Sequence, residues 1–173
     1  MGMRTAASQA ATAASVRPCP SLPMTRHTPP GKSVPTSSSG REWYSAAAFG
    51  FDGVLLGPGC AAPFAPKTLR ASMGAAGRLP VLTVPDLPAA LTALRGRGVT
   101  CLAAALYHSR PLDEVGTDFP GGLCLVIGSE GQGLTDAAVA ACDAAVRIPM
   151  TELVESLTAG VAGSVLLWQF RGV

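Results

Sequence analysis

The chain has 173 residues and a formal net charge of +2, a length that holds one ordinary domain with room for a tail. Hydrophobic residues make up 48% but aromatics only 5%, so a core is available and must be mainly aliphatic. No stretch approaches the ~18 to 20 consecutive apolar residues of a membrane-spanning helix, and Gly 20 and Pro 15 break any long heptad run, which excludes a coiled coil.

The charge is unevenly spread. Residues 1–41 hold Arg4, Arg17, Arg26, Lys32 and Arg41 and no acid. The other 8 of the 13 basic residues face all 11 acids, so the remainder carries −3 (8 − 11). A nucleic-acid domain working by bulk charge would show the opposite sign in its body. A nucleic-acid role therefore has to rest on a defined site. Cys19, Cys60, Cys101, Cys124 and Cys142 show no CxxC or CxxH spacing, which argues against a metal centre and a disulfide framework. They read as small buried hydrophobes in a reducing compartment.

Residues 1–41 are rich in Ala, Ser, Thr and Pro and have no apolar periodicity, so they predict a disordered tail. Arg-bearing, Ser-rich and acid-free, the tail also fits an organellar transit peptide, or sequence translated from a wrong start or frame. The body is otherwise expected in the cytoplasm. From about residue 42, short apolar runs alternate with amphipathic segments. "DGVLL" (52–56) predicts a strand and "PKTLRASMGA" (66–75) a helix with Pro66 in its first turn. "PVLTV" (80–84) predicts a strand. "DLPAALTALRGRG" (86–98) predicts a helix capped by Asp86 and ended by Gly96 or Gly98. "VTCLAAAL" (99–106) and "LCLVIG" (123–128) predict buried strands. "TDAAVAACD" (135–143) predicts a helix capped by Thr135, and "AVRIP" (145–149) a short strand. "ESLTAGVAGSVLLWQF" (155–170) predicts the last helix, with Ser156 as a cap. The alternation implies an α/β fold with a mostly parallel sheet flanked by helices. His108, Trp43 and Trp168 read as structural residues.

Ligands of open α/β sheets bind at the carboxyl ends of the strands. There "GSEGQG" offers Gly128, Gly131 and Gly133 around a single acid, Glu130. It is neither a Walker A loop nor a dinucleotide fingerprint, since the glycine order and following residues are wrong. As physics alone it describes a backbone-lined pocket for a small ligand.

The ordered set "IGSEGQGL", "CDAAVRIPM" and "VESL" before a small-residue helix resembles the SpoU/TrmH family of RNA methyltransferases, within the SPOUT class. "SAAAFGFDGVLLGPGCAAPFAPKTLRASMGA" (45–75) is similar to the same family, in which a motif-one helix leads into a strand. The resemblance implies a domain over 45–173, preceded by a non-family tail over 1–44, with a C-terminal deep trefoil knot. It implies S-adenosylmethionine held mainly by backbone, with Ala104, Gly128, Gly133, Ile148, Met150 and Leu157 as cofactor neighbours. Glu130 and Ser156 match polar active-site positions, and with Thr158, which stands at an Asn position, they are the catalytic candidates. It further implies 2′-O-methylation of a ribose in ribosomal or transfer RNA, no metal, and a homodimer built at the last helix. Plain close packing is the other reading of that helix's small residues.

The sequence departs from the family at motif one, N-x-G-x-x-x-R. Ser38 stands at the Asn, Gly40 at the Gly and Tyr44 at the Arg, with Arg41 three residues away. Thr158 replaces an Asn and Gly160 a Ser. The first strand and motif one are expected to be missing, as in a mis-started gene, and the sheet edge they would cover to be exposed. A catalytically inactive domain that still binds cofactor or RNA and dimerises is the alternative expectation.

Overall fold

The computed structural model describes residues 13–14, 41–60, 62–129, 131–154 and 156–171. The strands in chain order are β1 (Ala13–Ala14), β2 (Val54–Leu56), β3 (Val81–Thr83), β4 (Thr100–Ala104), β5 (Arg110–Pro111), β6 (Leu123–Ile127) and β7 (Ala144–Arg147). The helices are α1 (Arg41–Ala48), α2 (Pro66–Ala71), α3 (Leu87–Arg95), α4 (Asp136–Ala140) and α5 (Ala159–Gln169).

The two longest strands lie at the centre. Every residue of β6 is buried, as a strand covered on both faces requires. Successive side chains alternate between the faces. Leu123, Leu125 and Ile127 join Leu102, Val146, Trp43, Leu166 and Phe170 in one core, under α1 and α5. Cys124 and Val126 join Cys101, Ala103, Leu91 and Ala138 in the other, under α3 and α4. Helix starts follow the capping residues. The Asp86 carboxylate accepts the Ala89 N–H at 3.0 Å, and the Thr135 hydroxyl accepts that of Ala138 at 3.2 Å.

The sheet order is β3-β2-β1-β6-β4-β7-β5. All pairings are parallel except those of β1, which runs antiparallel to both neighbours. This corrects the expected exposed edge. The position between β2 and β6 is internal, and Ala13 fills it opposite Leu56 on one side and Ile127 on the other. Unpaired backbone groups on two facing strands demand a partner whatever its side chains. An Ala-rich segment with no periodicity can supply one. α1 begins at Arg41, and Glu42 and Trp43 are fully buried, so the packed body includes residues ahead of residue 45.

A second correction concerns the last helix. It begins at Ala159, and its cap is Thr158, whose hydroxyl accepts the Val161 N–H at 3.4 Å. Ser156 lies outside the helix and is exposed. Both residues can cap, and backbone geometry chooses: Thr158 holds the extended conformation a cap requires. At its far end, the Phe170 ring meets Phe119 edge-on, with centroids 5.6 Å apart, and fastens α5 to the segment before β6.

The N-terminal end of β4 is clamped by one carboxylate. Asp143 accepts the Cys101 N–H at 2.8 Å on one oxygen and Arg95 Nε at 2.7 Å on the other, while its own N–H donates to the Cys101 carbonyl at 2.8 Å. Close by, Cys142 is buried and donates to the Ala138 carbonyl at 3.2 Å. Burial, with Cys101 and Asp143 adding to it, pushes this thiol up to about 12, so it is an inert core residue. Cys101 and Cys124 are buried as well, and Cys60 is half-buried.

The clamp separates two kinds of interaction. Asp143→Ala strands the Cys101 N–H and is expected to cost about 2 kcal/mol. Arg95→Ala removes a partly solvated ion pair and a hydrogen bond to the Ala141 carbonyl, and is expected to cost less, about 1 kcal/mol. Urea denaturation of both variants checks the difference; equal losses would contradict it.

Candidate active site

The sheet register assembles the site. Ala103 stands opposite Val126 on β6 and Ala145 on β7, and Ala104 stands opposite Val146. Gly128 is one residue beyond β6, and Ile148 is one beyond β7. Ala104, Gly128 and Ile148 therefore lie at one end of three adjacent strands, ~4.8 Å from strand to strand. The Ala105 N–H donates to the Val146 carbonyl at 3.0 Å and carries this alignment one residue further.

Beyond β6 the chain folds back on itself. The Ser129 N–H donates to the Gly133 carbonyl at 3.2 Å, and the Gly133 N–H donates to the Ser129 carbonyl at 2.9 Å. Gln132 N–H donates to the Ser129 hydroxyl at 3.3 Å. Gly133 takes φ +65°, in the left-handed region that favours glycine. At Gly128 the demand is steric. A Cβ there would lie 2.1 Å from the Gly133 carbonyl carbon and 2.5 Å from the Leu134 nitrogen. At Gly131 a Cβ would meet nothing within 4 Å. Glu130 lies outside the described residues.

The other expected residues lie on the 148–158 connection from β7 to α5. Met150 and Leu157 are half-buried, and Ser156 and Thr158 are exposed. Thr158 accepts its cap hydrogen bond and keeps an O–H that can donate outward. On the opposite side of the motif set, α1 packs on α5. The Ser45 and Ser164 hydroxyls are 2.8 Å apart, and Ser164 also donates to the Gly160 carbonyl at 2.8 Å. A Cβ on Gly163 would approach Glu42 and Ile127 to 3.3 Å, so close packing within one subunit accounts for that glycine. Tyr44, at the family's arginine position, is half exposed. Ser38 and Gly40 lie outside the described residues.

These strand ends suit a flat, weakly polar ligand such as an adenine. Half-buried Ala104 and Ala105 present backbone and almost no side chain, the buried Ala103 and Gly128 add no bulk, and Ile148, Met150 and Leu157 supply apolar surface. Sequence reasoning missed the connection from β4 to β5. β7 lies between those two strands, with Val146 opposite both Ala104 and Arg110, so residues 105–109 bridge past it. Arg147 holds the bridge through a hydrogen bond from its guanidinium to the Ser109 carbonyl. His108, read as structural, is an exposed residue of this bridge at φ +52°. The mixture of aromatic and basic residues in "YHSR" was the available signal.

Gly128→Ala is expected to disrupt the turn and lower stability by about 3 kcal/mol. Gly131→Ala is expected to be tolerated. Thermal unfolding of the two variants tests this, and an unaffected Gly128→Ala would contradict it.

Comparison with known proteins agrees with this geometry. The model of the SpoU rRNA methylase family matches residues 43–168. An uncharacterised tRNA/rRNA methyltransferase of Mycobacterium tuberculosis (strain H37Rv) is 40% identical over 124 residues, which are 71% of this chain and 38% of that protein. The Bacillus subtilis 23S rRNA (guanosine(2553)-2'-O)-methyltransferase RlmP is 33% identical over 128 residues, 74% of this chain and 50% of that one. The chain thus spans half or less of the length of these relatives. Among solved structures, the SpoU methyltransferase AviRb of Streptomyces viridochromogenes, in complex with AdoMet, aligns with TM-score 0.70 and 28% identity over 80% of this chain and 56% of that one. An AdoMet-bound rRNA methyltransferase of Sinorhizobium meliloti aligns with TM-score 0.71 and 26% identity over 77% of this chain and 50% of that one. With residues 43–168 matched by the family's model, the chain belongs to the SpoU rRNA methylase family.

Proposed function

We propose that the protein transfers a methyl group from S-adenosylmethionine to a ribose 2′-hydroxyl of ribosomal or transfer RNA. The observation that carries this reading is the alignment of Ala104, Gly128 and Ile148 at the carboxyl ends of three adjacent strands, beside a turn that only glycine permits. When bound, the cofactor supplies a sulfonium methyl that is already electrophilic. The strand ends with Ala104, Gly128 and Gly133 would hold the cofactor mainly through backbone groups, and Ile148, Met150 and Leu157 would supply apolar contact. Alignment of donor and acceptor then provides much of the acceleration. The 2′-hydroxyl is a poor nucleophile and needs a polar partner. The exposed Ser156 and Thr158 hydroxyls orient it, and Glu130 accepts its proton.

One observation favours a second reading, binding without transfer. Tyr44 puts a half-exposed phenol where the family carries an arginine, and a phenol cannot neutralise phosphate or stabilise an alkoxide as a guanidinium does. Methyl transfer from labelled S-adenosylmethionine to unmodified 23S rRNA and tRNA transcripts separates the two. Label held in alkali-resistant dinucleotides, the mark of a 2′-O-methyl group, is the expected result. Saturable cofactor binding without incorporation would establish the second reading.

A homodimer belongs to the same proposal. Val161 and Trp168, two turns apart on α5, are each about half exposed (48% and 50%). Arg171 lies 4.1 Å from the Trp168 ring centroid. A partner would cover this apolar stripe. Trp168→Glu is expected to convert a dimer to monomer in sedimentation analysis without unfolding; an unchanged mass would remove this interface.

A further inference from the structure

We propose that Tyr107, on the bridge between β4 and β5, is an RNA-stacking residue at the rim of the site. This rests on the methyltransferase reading and deepens it by naming a substrate contact. Tyr107 is 81% exposed, the most exposed aromatic of the described residues. A large aromatic side chain left in water on an ordered loop forgoes favourable burial. The bridge is nevertheless well determined. Its first residue, Ala105, is hydrogen-bonded to β7, and Ser109 donates its hydroxyl to the Leu106 carbonyl at 3.3 Å. Arg147 grips the Ser109 carbonyl, and Arg110 resumes sheet pairing opposite Val146. His108 turns the chain at φ +52°, a strained conformation for a residue with a side chain, and such strain collects at working surfaces.

The location selects the ligand. The bridge starts one residue past Ala104 and is held by the residue before Ile148, so Tyr107 stands beside the strand ends assigned to the cofactor. An RNA presenting one ribose there has flanking bases within reach. An aromatic face next to cations is how single-stranded nucleic acid is held. The cations are Arg110, exposed, and Arg147, half-buried. Asp113 and Glu114, exposed in the next turn, carry the opposite sign, so stacking rather than bulk charge has to supply the contact.

The experiment compares Tyr107→Ala and Tyr107→Phe with the unaltered protein. One readout is anisotropy of a fluorescent 12-nucleotide single-stranded RNA across a salt series. The other is calorimetric titration with S-adenosylmethionine. Tyr107→Ala is expected to weaken RNA binding about ten-fold, within the range for losing one stacked base. Its salt slope is expected to stay unchanged, because no phosphate contact is lost. Tyr107→Phe is expected to bind within two-fold of the unaltered protein, and the cofactor affinity of both variants to match it. Unchanged RNA binding by Tyr107→Ala, or an equal loss in Tyr107→Phe, would overturn the stacking role and leave the methyltransferase reading standing. If the unaltered protein bound cofactor but no RNA, the RNA reading and this inference would fall together.

Discussion

Val146 stands opposite Ala104, and Ala103 stands opposite both Val126 and Ala145. That register is the constraint on which the candidate site depends. A slip of one residue would exchange the faces of β4, moving Leu102 out of the α1–α5 core and Ala103 into it. It would also displace Ala104 from Gly128 and Ile148. The Asp143 carboxylate opposes such a slip from the other end of the strand, since it holds Cys101 and Arg95 together. Stability and function thus occupy opposite ends of the same three strands. Hydrogen-bonded charge lies at the amino ends and small bare residues at the carboxyl ends.

Much of this was legible because burial writes itself into sequence. "LCLVI" and "TCLAA" are too short for helices and too apolar for surface, and both form central strands. Asp86 and Thr135 cap as their positions imply. What escaped the sequence depends on tertiary competition. Ser156 and Thr158 are two capping residues two positions apart, and only the chain's path from β7 decides between them. β5 is two residues long and exists only because β7 runs beside it. β1 is two alanines in a stretch whose composition argues against order, and its partners are remote in sequence.

The candidate site divides in the same way. Gly128 was legible as part of a motif, but its reason is steric and appears only when Gly133 and Leu134 fold back against it. Tyr107 and His108 carry no periodicity and match no motif; the aromatic and basic mixture of "YHSR" is a faint signal that only exposure and backbone angle bring out. A residue that acts on a partner from the surface leaves little trace in a hydrophobic pattern.

The position of β1 bears on how the sheet's two halves hold together. Among the described residues, β2 and β3 reach the remaining strands through two residues of β1, with register pairs at Ala13 and Ala14. Backbone hydrogen bonds contribute about 1 kcal/mol each. The core under α1 is continuous across the same gap. Trp43, Phe51, Val54 and Leu56 pack in one cluster with Leu125, Ile127, Leu166 and Phe170. A single buried aromatic or leucine is worth about 1.5 to 3 kcal/mol, so this cluster outweighs the β1 ladder. α1, rather than the inserted strand, is therefore the main tie between the halves. It also carries Tyr44 and, through Ser45 and Ser164, is tied to α5, whose capping Thr158 ends the connection from β7. The helix that holds the sheet together is thus also the one that carries Tyr44 half exposed, so packing fixes the place of α1 in the fold whatever side chain stands at that position.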